Sequence, residues 1–188
     1  MAGNKDDAKK SSVKKPVKDS GCGSEIMIVT GTPGTGKTTY AKKLAKDKGY
    51  KYVDVNDVME EENLSEGYDM ERKTRIVDEN KLAKVLERII KEARKEGSGL
   101  VIDSHLSHHI SPELADLCIV TKCGLKELEK RLKEKGYNKA KIEENIQSEI
   151  FDICLNEAME AGHAVITIRT DNRRYETECD YRSNKEEK

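Results

Sequence analysis

Short apolar runs recur along the middle of the chain, separated by longer stretches in which apolar residues return every three or four positions. The runs at 26–29 (IMIV), 52–55 (YVDV), 100–102 (LVI), 117–120 (LCIV) and 165–168 (VITI) are rich in Ile and Val, as strands buried on both faces should be. Between them Leu82, Val85, Leu86, Ile89, Ile90 and Ala93 follow the i, i+3, i+4, i+7 spacing of one helix face. Ile142, Ile146, Ile150, Ile153 and Leu155 lie close to one stripe of a second, long helix. Helices also fit residues 38–48 and 125–135, the latter stopped by Gly136. Strand, helix and strand in repetition predict an α/β fold, a five-stranded parallel sheet with helices on both faces, which binds its ligand beyond the carboxyl ends of the strands.

The two ends read differently. Residues 1–23 hold six lysines and three aspartates, a net +3, with Val13 and Val17 as the only branched apolar side chains, too little to build a core. Such a segment is either a solvated linker or a basic arm for nuclear import or RNA contact. Residues 171–188, DNRRYETECDYRSNKEEK, show no apolar periodicity and are expected to fray. One domain is therefore expected over residues 24–170, between a basic tail and a polar one.

Composition removes some function classes. Charged residues make up 38% of the 188, apolar ones 35%, and the net charge is -1, so overall basicity gives no reason to expect direct DNA binding. No apolar run approaches the roughly 18 residues of a membrane span, and the N-terminus lacks an apolar signal core. The expectation is a protein that keeps to the compartment where it is made and has no membrane partner. Five cysteines without a C-x-x-C pair point to buried free thiols rather than to a disulfide framework.

The chemistry starts where the first strand ends. Residues 31–39, GTPGTGKTT, satisfy G-x-x-x-x-G-K-[ST] with a strand before and a helix after. Glycines let the backbone fold back and aim N–H groups at phosphate oxygens, and the helix that follows adds its positive end. In that reading Gly34, Thr35, Gly36, Lys37, Thr38 and Thr39 hold the phosphates of ATP. Lys37 neutralises the β- and γ-phosphates, Thr38 coordinates Mg²⁺ through its hydroxyl, and Thr39 assists at the α-phosphate. Such a loop also needs a carboxylate near the metal. The run GLVID supplies Asp103 at the ligand end of a neighbouring strand, acting on the metal through water, with a capping or turn aspartate as the structural alternative. His105 follows two residues on, placed to orient water or to meet the γ-phosphate. His108 and His109 complete three histidines in five residues, but no further ligand set accompanies them, and these two read as surface residues.

Four stretches carry a closer resemblance: GTPGTGKTT, KYVDVNDVMEEENLSEGYD, VIDSH and RLKEKGYNKAKIEENIQSEIF. Together, over residues 25–172, the chain resembles the adenylate kinase isoenzyme 6 family, called Fap7 in yeast and found also in archaea. The resemblance implies a nucleoside monophosphate kinase fold, with a monophosphate-binding segment at about 54–77 and a lid at about 134–144. It implies catalytic roles for Lys37 and for the Asp103–His105 pair, and an ATP contact at Lys135. It further implies adenylate kinase activity (MgATP to AMP), ATPase activity, and participation in maturation of the small ribosomal subunit through its protein uS11. The compartment implied is the cytoplasm for an archaeal source, or nucleus and cytoplasm for a eukaryotic one.

The chain departs from that family in three places. Lys135 stands where the family usually has an arginine, exchanging a planar fork for a point charge. The monophosphate segment carries Glu60, Glu61, Glu62, Glu66, Asp69 and Glu71 against Arg72, Lys73 and Arg75, which fits modest AMP affinity, a basic protein partner or a solvated helix face. The family's closing amphipathic helix has no counterpart in the C-terminal residues, where Arg173 falls near a nucleotide-contact position. Three functions follow as expectations: an assembly factor with adenylate kinase activity, a nucleotide-switched binder of uS11 with little kinase role, and a kinase of another small acceptor.

Overall fold

The computed structural model of the protein describes residues 24–69, 74–105, 110–171 and 175–180. The basic N-terminal segment, Arg173, His108 and His109 lie outside the described residues. Each of the five apolar runs is a strand: β1 (Ile26–Thr30), β2 (Lys51–Asp54), β5 (Leu100–Asp103), β6 (Leu117–Lys122) and β7 (Val165–Arg169), all parallel to their neighbours in the order β2-β5-β1-β6-β7. Alternation along the strands divides the core. Ile26, Ile28, Leu100, Ile102, Cys118, Val120 and Val165 face α3 (Glu79–Lys95), α6 (Ile153–Glu160) and the start of α2 (Val55–Glu61). Met27, Val29, Val101, Leu117, Ile119 and Ile168 face Ala41 and Ala45 of α1 (Lys37–Lys48). The period read along α3 is the one observed, with Leu82, Leu86, Ile90 and Ala93 buried.

Two expectations need correction. The long helix through residues 142–155 is two helices, α5 (Lys139–Ile150) and α6, parted at Phe151 and Asp152. Asp152 sits in the left-handed region (φ 53°) and its carboxylate pairs with Lys122 at 2.6 Å; Asp tolerates that conformation better than most residues. Within α5 the buried face runs through Ile142, Asn145 and Glu149, leaving Ile150 exposed, and after the break Ile153 is exposed while Leu155 is buried. The second correction concerns the expected fraying of residues 171–188. Glu176–Asp180 forms β8, which pairs antiparallel with β7 and extends the sheet to six strands.

Residues 54–77 become α2 followed by a two-stranded antiparallel ribbon, β3 (Ser65–Asp69) with β4 (Thr74–Val77). Residues 134–144 join α4 (Leu125–Glu134) to α5 through a turn at Gly136 and Tyr137, and α5 is capped by the Asn138 side chain accepting from Lys141 N–H at 2.8 Å. Leu128 and Leu132 of α4 pack on Ile142 of α5. Cys118 and Cys123 are buried and Cys154 half-buried, all three as free thiols, as expected; burial pushes the first two up to about 12 and about 11.

Candidate phosphoryl-transfer site

The loop between β1 and α1 is held from below before any ligand is considered. Gly31 leaves the strand at φ 137°, and a Cβ there would stand 2.5 Å from the Thr121 carbonyl oxygen. Only glycine fits the close approach. Thr35 turns inward: its hydroxyl donates to the Thr32 carbonyl at 2.7 Å and meets the Thr121 hydroxyl at 2.8 Å. Thr170 donates to the Thr35 carbonyl, and the Arg131 guanidinium reaches the Thr170 hydroxyl and carbonyl, each at 3.3 Å. The loop is thus a prebuilt cradle tied to β6, α4 and the end of β7.

Lys37 opens α1 and is half-buried. Its ammonium donates to the Thr32 carbonyl at 3.2 Å. Burial lowers its pKa to about 8, against the opposing pull of the Asp103 carboxylate. Asp103 ends β5 in register with Val29 of β1 and Asp54 of β2, which sets it beside the cradle; it is only 3% exposed. Its Oδ2 accepts the Tyr52 hydroxyl at 3.0 Å.

Two clefts flank the cradle. The first, about 510 Å³, is lined by Gly34, Gly36, Lys37, Thr38, Thr39, Arg131, Lys135, Thr170 and Tyr175. The second, about 530 Å³, is lined by Gly34, Lys37, Thr38, Asn56, Asp103, His105, Lys135, Tyr137, Lys141 and Asn145. Gly34, Lys37, Thr38 and Lys135 belong to both. The structure therefore gathers the predicted Gly34, Gly36, Lys37, Thr38, Thr39, Asp103, His105 and Lys135 around one double cleft. Thr35 is apart from them, a strut beneath the loop with its side chain buried.

Several contributors escaped the sequence reading. Thr170 and Tyr175 reach the first cleft only because β7 and β8 bring them there, and Tyr175 packs edge-on against Tyr40, ring centroids 5.0 Å apart. Glu149, near the end of α5, is buried and accepts the Cys123 N–H at 2.9 Å; its carboxylate also bonds to Thr32, and burial raises its pKa. Its family motif was the available signal. Tyr52 read only as a strand residue.

The donors near the cradle suit a hard cation. Thr38 offers a hydroxyl and Asp103 a carboxylate in the same cleft, next to the phosphate loop. Among the described residues no group of three or more His, Cys, Asp or Glu assembles to hold a metal alone. A site with one carboxylate and one hydroxyl fits Mg²⁺, which keeps waters and takes further oxygens from substrate phosphates.

A family profile described as an AAA domain matches residues 27–152. The adenylate kinase isoenzyme 6 homolog FAP7 of Saccharomyces cerevisiae is 36% identical over 150 residues, 78% of this chain and 74% of that protein. A putative adenylate kinase of Pyrococcus furiosus is 42% identical over 77% of this chain and 74% of that one. The crystal structure of a sugar kinase from Janibacter sp. HTCC2649 superposes with a TM-score of 0.54 at 19% identity, covering 80% of this chain and 87% of that one, and speaks for the fold alone.

With a phosphate loop at the end of β1, an acid at the end of β5 and kinases among its relatives, the chain is a P-loop nucleoside monophosphate kinase. Within that class it belongs to the adenylate kinase isoenzyme 6 family.

Proposed function

We propose that the protein transfers the γ-phosphoryl group of MgATP to AMP, and to water when no acceptor is present. The observation that carries this reading is the pair of clefts meeting at Lys37, Thr38 and Lys135. Donor nucleotide enters from the Tyr175 side, along Thr39 and Lys135, with its phosphates in the cradle. The acceptor enters from the Asn56 side, so its phosphate meets the γ-phosphoryl beside Lys37. The bond from γ-phosphorus to the β-bridging oxygen breaks as one forms to an oxygen of the AMP phosphate. That oxygen is already anionic, so no general base is needed. Lys37 carries charge on the transferring group, and positioning with charge neutralisation does most of the work in such reactions. Bound through Thr38 and Asp103, Mg²⁺ would neutralise charge developing on the bridging oxygen. His105, at the exposed turn after β5, orients water in the hydrolytic reaction.

Lys37→Ala is expected to lower MgATP- and AMP-dependent ADP formation by about 10²–10³-fold, the usual loss when a charge stabiliser is removed. A coupled assay measures it, and undiminished turnover would sink the assignment.

The role in small-subunit maturation rests on kinship with the isoenzyme 6 proteins, and uS11 is the proposed partner. One observation favours nucleotide-switched binding over metabolic kinase work: α5 runs without interruption from the Asn138 cap at the lid to Glu149 against Thr32 of the cradle. Phosphate binding at the cradle thereby bears directly on the lid helix. Pull-down of uS11 with and without ATP tests the switch; equal capture in both would count against nucleotide-switched binding.

A further inference from the structure

Asp103 shares its end of the sheet with a second carboxylate. The β2–β5 register sets Asp54 directly opposite Asp103, two like charges on adjacent parallel strands. One hydroxyl stands between them. Tyr52 donates to Asp103 Oδ2 at 3.0 Å and approaches Asp54 Oδ2 at 3.3 Å. Its ring is fixed: one side packs in the cluster with Met27, Val29 and Val101, and the Lys42 ammonium lies 5.3 Å from its centroid. A hydroxyl on so constrained a ring dictates where its acceptor points.

Asp54 is committed elsewhere through its other oxygen. Oδ1 accepts the Asn56 backbone N–H at 2.9 Å and the Asn56 side-chain amide at 3.0 Å, capping α2. Asp103 Oδ2 takes its hydrogen bond from Tyr52, and the task of Asp103 requires a definite orientation toward Thr38.

We infer that Tyr52 is the positioning residue of the metal-side carboxylate: its shared hydroxyl aims Asp103 at the cation and keeps the Asp54–Asp103 pair from repelling apart. Tyr52 touches neither substrate nor metal in this role. The inference rests on the assignment of Thr38 and Asp103 to Mg²⁺. It adds a physical link within the second cleft between the metal-side carboxylate and α2, because the same hydroxyl reaches the carboxylate that caps α2, and Asn56 of α2 lines the same cleft as Asp103.

Outer-shell partners of metal-binding groups cost about 10- to 100-fold in metal affinity or activity when removed. The test is calorimetric binding of the non-hydrolysable analogue AMP-PNP, with Mg²⁺ and with EDTA. Tyr52→Phe keeps the ring and removes the hydroxyl. It is expected to weaken the Mg²⁺ complex by about tenfold while leaving metal-free binding and the melting temperature near those of the parent. An unchanged Mg²⁺ affinity would overturn the inference, as would an equal loss with and without metal, which is what a merely structural residue gives. A second variant guards against indirect effects. Asp54→Asn keeps an oxygen for the α2 cap and leaves Asp103 as the sole charged acceptor of the Tyr52 proton, so its Mg²⁺-dependent affinity should equal or exceed the parent's. A loss matching that of Tyr52→Phe would move the metal role to Asp54 and overturn the inference as well. If Mg²⁺ makes no difference to the parent, the metal-side assignment falls and the role of Tyr52 falls with it.

Discussion

At the scale of single residues, Lys37 holds the most consequential compromise. Burial in the cradle lowers its pKa to about 8, and the neighbouring Asp103 limits the fall. Before phosphate arrives, the ammonium is therefore discharged as pH rises through about 8. The free enzyme's kcat/KM for ATP should decline on the alkaline side with an apparent pKa near 8. In the ternary complex, phosphate charge favours the protonated form, so the alkaline limb of kcat is expected at higher pH; coincident limbs would contradict this. For stability the sign is opposite: the unfolded chain keeps the proton longer, so between the folded and unfolded pKa values deprotonation relieves the burial of charge and stability gains with pH. Glu149 poses a different test. Its buried carboxylate satisfies the Cys123 N–H and bonds to Thr32. Glu149→Ala leaves that N–H without its acceptor and is expected to cost about 1–3 kcal/mol in urea unfolding. Glu149→Gln, which retains an acceptor oxygen, should cost less.

At the scale of elements, the lead-in to β8 supplies one wall of the proposed donor cleft. Tyr175 leads into the strand and supplies the aromatic wall beside Thr39 and Lys135. Tyr175→Ala should raise the KM for ATP by about 3- to 10-fold, the scale of one aromatic contact, with the KM for AMP unchanged; equal effects on both substrates would place Tyr175 outside the donor side. Four strands, β1, β5, β6 and β7, were readable because burial on both faces forces runs of Ile and Val whatever the loops do, whereas β2, half-buried at the other edge of the sheet, showed only through Tyr52, Val53 and Val55. β8 was not, since its sequence ETECD holds no apolar run at all. Its signal was subtler: in YETECD, Tyr175, Thr177 and Cys179 alternate with Glu176, Glu178 and Asp180, a period of two written with β-formers and acids. The division of α5 from α6 was hidden for the opposite reason. Ile150 and Ile153 extend an apolar stripe in the sequence, yet both are exposed: the buried face of α5 passes through Glu149 instead of Ile150, and Asp152 turns the chain through the left-handed region before Ile153. At the site, the G-x-x-x-x-G-K-[ST] spacing located the cradle, because phosphate geometry leaves little freedom there. Its supports, Thr121, Thr170 and Arg131, come from three distant segments and obey no local spacing.

At the scale of the whole molecule, the two clefts of about 510 and 530 Å³ share a floor at the cradle. A dinucleoside pentaphosphate, with one base for each cleft and a polyphosphate long enough to join them, should inhibit competitively against ATP and against AMP alike. Competition with ATP alone would mean that the second cleft is not the acceptor site. The helices divide this labour. α1 and α4 line the proposed donor side, the start of α2 and the middle of α5 the proposed acceptor side, and α3 and α6 pack on the far face of the sheet. Among the described residues no helix is long and apolar enough to cross a membrane.

The antiparallel return of β8 along β7 has a last effect that concerns neighbours rather than ligands. Without it, the sequence VITIR would form the rim of the sheet, offering a row of unpaired amides and carbonyls on a strand rich in branched side chains. Rims of that kind recruit strands from other copies and seed aggregates. In its place the rim is a short strand in which every second residue is an acid, and like charges on two such rims repel. The strand that follows Tyr175 of the cleft therefore also disfavours edge-to-edge pairing between copies at this rim of the sheet.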